Sequence, residues 1–215
     1  MAKSSDRKQQ ISRSVDCLSR LFSVVVGLAV CVAVQQTIFD SSGHMLRWYD
    51  VSAKNYPLLQ SAAIRVPLLL AFIVTIVPFY HGMNCHLDRT YVEQTADRPK
   101  QGFLIFDFFV FFLESCLLLA LASLLSDGIS FLVVLCVLLV VDIAWGVVAY
   151  GVHSDGVMPG LAQWVGINMA AVAALVAFAL WSPRPEWITW WSLFIAVFRT
   201  IADYKFCWRY YFPSE

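Results

Sequence analysis

Four acidic residues stand inside stretches that are otherwise apolar: Asp107 and Glu114 in FLIFDFFVFFLES, Asp142 in VLLVVDIAWG, and Asp203 in FRTIADYKF. One basic residue, Arg199, shares their depth. An ionised group at the centre of a bilayer costs about 2.5–3.5 kcal/mol on insertion scales, so such residues mark ion paths, proton relays or buried pairs. Asp107 and Glu114 are seven apart and share a helix face. Arg199 and Asp203 share one at i, i+4. A single guanidinium cannot neutralise four carboxylates. The surplus must carry protons, hold a cation or face water, and the chemistry implied is proton or cation handling. The competing reading has Arg199 pairing with one or two acids to fix helix packing, while Asp107 and Asp203 reach the inner headgroups.

A second group lies in PFYHGMNCHLDRTY. Pro78 donates no backbone hydrogen bond, which frees the carbonyl of Val74 and favours a kink. His81, Cys85, His86 and Asp88 form a compact set of candidate metal ligands of a type that suits zinc. Their spacing matches no metal motif, and another helix would have to add a ligand. The alternative is that His81 hydrogen-bonds an acid at its own depth, Asp107 or Asp203, and shuttles protons, since imidazole titrates near neutrality. Haem needs two histidines facing each other, and His44 and His153 fall in loops on opposite sides. The sequence requires no cofactor. It has no G-x-S-x-G elbow, no H-E-x-x-H and no P-loop. It also has no C-x-x-C pair.

These residues must be positioned by membrane helices. The chain has 215 residues, 60% of them hydrophobic and 14% charged. A soluble domain is roughly 45–50% apolar and about 25% charged. Six apolar runs are near the ~20 residues that cross the hydrocarbon: Leu21–Phe39, Ala62–Gly82, Phe103–Leu125, Ile129–Tyr150, Leu161–Trp181 and Ile188–Cys207. Arg199, Asp203 and Lys205 make the sixth the least apolar. Each run must satisfy its own backbone, hence helices, and none alternates as barrel strands do. The expected fold is all-α, a polytopic membrane bundle over residues 21–207. A basic tail (1–20) and a short tail (208–215) flank it.

Orientation follows from Lys and Arg near the span ends. With the N-terminus inside, Lys3, Arg7, Lys8, Arg13, Arg20, Arg89, Arg98, Lys100, Lys205 and Arg209 are cytoplasmic, against Arg47, Lys54 and Arg184 outside. Six spans with both termini cytoplasmic fit this bias. Trp48, Tyr49, Trp181, Trp187, Trp190 and Trp191 then lie at the outer interface, and Tyr80, Tyr150, Trp164, Trp208, Tyr210 and Tyr211 at the inner one, as aromatic belts require. No cysteine falls in an outer loop. A cleaved signal peptide competes for the first span, but a 20-residue leading region without a small-x-small site favours a retained helix. Residues 7–20 place Ile11, Val15 and Leu18 on one face, an amphipathic helix for the inner surface or else a frayed tail. Arg65, near the outer end of its span, is expected to snorkel. Gly166 and Ala170 form a small-xxx-small pair.

Zero net charge, from 15 basic and 15 acidic residues, gives no basic excess for nucleic acid. The leading expectation is a small channel or transporter-like protein of a bacterial inner membrane, acting as a homo-oligomer because so thin a bundle leaves little room for a pore in one chain. A different class is a non-enzymatic subunit or anchor of a membrane complex, with the polar cluster structural. A third is a lipid or redox enzyme using the His81–Asp88 edge. In every case the bilayer is a partner.

Overall fold

The computed structural model describes residues 2–39, 56–93, 101–152, 160–181 and 184–212. The described residues form helices and turns: α1 (Ala2–Ile38), α2 (Tyr56–Leu87) continued by a π-helical stretch (Asp88–Glu93), α3 (Gln101–Ser123), α4 (Gly128–Val152), α5 (Leu161–Trp181), α6 (Pro185–Phe206) and α7 (Trp208–Tyr211). Five helices, α1 to α5, are long and apolar enough to cross a membrane. The protein is an all-α membrane bundle. Arg47, Lys54, Arg98 and Lys100, the aromatic residues Trp48 and Tyr49, and His44 and His153 lie outside the described residues.

The six long helices close a ring in the order α1, α3, α4, α5, α6, α2 and back to α1. Helix α2 runs along α6 as its main neighbour, and α2 and α4 also touch across the ring. Leu68, Phe72, Leu118, Leu138 and Leu175 fill the interior. Phe109, Val133, Val147 and Leu180 point outward. Such an outer surface is unfavourable in water and neutral against lipid tails, which are as apolar as leucine.

Helix α6 is built the other way round from a soluble amphipathic helix. Thr189, Ser192, Arg199 and Asp203 are buried, while Trp190, Phe194, Phe198 and Ile201 face out. Its low average apolarity therefore comes from residues that lipid never meets. Its 22 residues reach roughly 33 Å at about 1.5 Å each, enough for the hydrocarbon thickness.

Two boundaries differ from the sequence expectation. The second span was expected to end at Gly82, but α2 continues to Leu87 and its π-helical extension to Glu93. Met83, Leu87 and Tyr91, at steps of four, bury one face, so tertiary packing carries the helix beyond the apolar run. Pro67 and Pro78 both lie inside it. The Val74 carbonyl that Pro78 leaves open accepts a bond from Thr200 Oγ1 at 3.0 Å. At the N-terminus, α1 runs unbroken from 2 to 38, so residues 7–20 are one helix with the span. Val15 and Leu18 are buried, and Ser19 Oγ donates to Asn84 Oδ1 at 2.6 Å. That face meets the extended end of α2 rather than headgroups.

Arg65 Nη1 donates to the carbonyls of Gln36 (2.6 Å) and Phe39 (2.9 Å). A cation there satisfies open carbonyls at the C-terminus of α1 and suits its dipole. Gly166 and Ala170 face outward, so that pair does not bring helices together within the bundle.

Candidate functional site

Asp107, on the first half of α3, is fully buried. Its carboxylate accepts the hydroxyl of Tyr91 at 2.7 Å and Nε1 of Trp145 at 2.8 Å, and lies 2.7 Å from Nε2 of His86. Thr90 Oγ1 is 3.2 Å from the other ring nitrogen of His86. The His86 and Trp145 rings meet edge to face at 4.9 Å. Asp107 is thus shared by α2, its π-helical extension, α3 and α4, and does not reach the headgroups. The sequence offers Asp107 or Asp203 as the acid beside His81, and Asp107 is not the one. The continuation of α2 brings His86 to it instead.

Deeper along α3, Glu114 faces α4, α5 and α6. Asn168 Nδ2 donates to Asp142 Oδ2 at 2.7 Å, and Arg199 Nε donates to Asn168 Oδ1 at 2.6 Å. Arg199 Nη2 stands 3.7 Å from Asp142 Oδ2, and the guanidinium lies 4.8 Å above the Phe79 ring. Glu114 and Asp142 are both buried and line one cavity. Glu114 Oε1, Arg199 Nη1 and Asp203 Oδ1 are buried without a protein partner. Such atoms cost about 1–3 kcal/mol each unless water or a ligand meets them.

Asp203, also fully buried, accepts the Tyr211 hydroxyl at 2.8 Å. The chain folds back after α6 to place it. Gly160, at φ +93°, starts α5 beside Cys207, whose Sγ lies 3.5 Å from the Gly160 carbonyl oxygen, and a side chain at this φ would be strained. Tyr210 donates to the carbonyl of Gly82 at 3.1 Å. His81 does not bond an acid directly. Its Nδ1 lies 3.2 Å from the Tyr204 hydroxyl, and its ring packs at 4.8 Å on Tyr211, the donor to Asp203. The link to the acid runs through a tyrosine.

The six residues singled out from the sequence therefore fall into three adjoining groups: Asp107, then Glu114 with Asp142 and Arg199, then Asp203 with His81 behind Tyr211. A cavity of about 30 Å³ opens beside the middle group, with Phe111, Glu114, Asp142, Trp145, Trp164 and Tyr211 in its lining. At roughly 10–15 Å³ per water it holds about two or three. His81, Cys85, His86 and Asp88 are not gathered into one ligand set, and among the described residues no three His, Cys, Asp or Glu side chains stand together as a metal site.

Asn168, Trp145, Tyr91 and Tyr211 complete the site and were missed from sequence. Asn168 left a signal, an amide in an otherwise apolar span, where such groups bond between helices. Tyr211 left none, because its place depends on a chain reversal. No known protein family, curated protein or solved structure matches this chain at a significant level.

Proposed function

We propose that this protein is a small proton- or cation-handling channel or transporter. It sits in a bacterial inner membrane as six spans, with both termini cytoplasmic and the chain in a homo-oligomer. One observation carries the reading: Glu114 and Asp142, both buried, line one cavity with room for about two or three waters, with Arg199 as the nearby cation. Asp107 has three donors and does not draw on Arg199. Glu114, Asp142 and Asp203 still outnumber the guanidinium. Three carboxyl groups around one positive charge exchange protons or cations more readily than they form a fixed pair.

Purified protein in liposomes is expected to dissipate a proton or monovalent-cation gradient. Glu114→Gln, which keeps the shape and removes the ionisable group, is expected to slow the flux about tenfold or more, as loss of a proton-transfer group does. Wild-type vesicles as tight as empty ones would overturn the reading. The saturated Asp107 group favours a second reading, a non-enzymatic subunit whose polar core fixes packing. Recovery of one stoichiometric partner in detergent, with no flux, would support that instead.

A further inference from the structure

The cavity beside the acid pair has a specific chemical character. Its lining includes the aromatic residues Phe111, Trp145, Trp164 and Tyr211 and the acids Glu114 and Asp142. Glu114 is 2% exposed, and its Oε1 has no partner. Each class of occupant can be set against these facts. An anion would meet two carboxyl groups. An apolar molecule would leave Glu114 Oε1 unsatisfied. A bare metal cation takes about six or more oxygens in the hard-cation case, and this lining offers few. The tyrosine hydroxyls nearby are committed, Tyr210 to Gly82 and Tyr211 to Asp203. No metal-type cluster stands among the described residues.

An alkylammonium ion meets all the conditions. Its N–H groups donate to carboxylate oxygens in charge-assisted bonds. Its methyl groups, which share the positive charge, pack on aromatic faces, an attraction of about 2 kcal/mol or more once water is excluded. Space for about two or three waters is space for two or three heavy atoms. We infer that this cavity binds a small alkylammonium ion of methylammonium or dimethylammonium size, nitrogen at Glu114 and Asp142, methyl groups against Trp145, Trp164, Phe111 and Tyr211. This rests on the cation-handling reading and names the cation.

The test is calorimetric titration of the full chain in nanodiscs with methylammonium chloride, beside sodium, potassium and tetramethylammonium chlorides. Methylammonium is expected to bind saturably, and the other three about tenfold or more weakly, the last because it is too large. Glu114→Gln is expected to weaken binding about tenfold or more. Trp164→Leu is expected to weaken it about three- to tenfold and Trp164→Phe less. The tryptophan pair carries the test if Glu114→Gln does not fold. Absence of saturable methylammonium binding, equal binding of sodium or potassium, or binding indifferent to both positions would overturn the inference. Flux that depends on Glu114 without methylammonium binding leaves the transport reading standing and removes the ammonium site. Binding at Glu114 without any flux does the reverse.

Discussion

Asp107 and Glu114 sit on one face of one helix yet do different work. Asp107 is surrounded by His86, Tyr91 and Trp145, so each removed partner leaves a buried group unpaired. Asp107→Ala is expected to lower stability by about 1–3 kcal/mol, read from thermal unfolding in detergent. Asp107→Asn, which keeps an acceptor, is expected to cost less. Equal losses would mean that the hydrogen bonds do not matter. The acids and Arg199 were legible from sequence because charge inside an apolar run is a strong signal. Their partners were not. Asn168 is uncharged, and Tyr91, Trp145 and Tyr211 resemble ordinary interface aromatics until the fold turns them inward. Of the two acids the sequence offers His81, Asp107 is taken by His86, which an α2 ending at Gly82 leaves out of the span, and Asp203 is reached only through Tyr211.

At the scale of elements, one cap and one sealed kink are open to test. Asp127 opens α4: its carboxylate accepts the backbone N–H of Ile129 (3.0 Å) and Ser130 (3.2 Å) and the Ser130 hydroxyl (2.6 Å). The Ser130 hydroxyl first, with those N–H groups, holds this exposed carboxyl below its ordinary range. A depressed folded-state value means the stabilisation is present above the unfolded value, near 3.9, and is lost as pH falls through the folded one. Asp127→Ala is therefore expected to cost about 1 kcal/mol at neutral pH. The gap to wild type should narrow in strong acid, and a gap that stays constant would contradict the cap. Thr200→Val removes the donor to Val74 and is expected to cost about 0.5–1.5 kcal/mol. Spans three, four and five are readable to within a few residues because each is a continuous apolar run. The tail of α2 was not, since its helix is held by packing of Met83, Leu87 and Tyr91 rather than by apolarity.

The described residues form a ring of helices, apolar outside, with its buried charges set among leucine and phenylalanine. Helix α6 lowers its average apolarity with charges buried within the ring, while tryptophan and phenylalanine face out. Six spans predict that tags at both termini are protected from protease in sealed right-side-out vesicles. A C-terminal tag cleaved while the N-terminal one survives would mean five. The sharpest measurement concerns the centre of the ring. Proteoliposomes adsorbed on a supported membrane electrode, given a pH or cation jump, are expected to show a transient current in wild type and in folded Asp107→Asn, and little in Glu114→Gln. A wild type without current, or a Glu114→Gln current equal to wild type, would contradict the account.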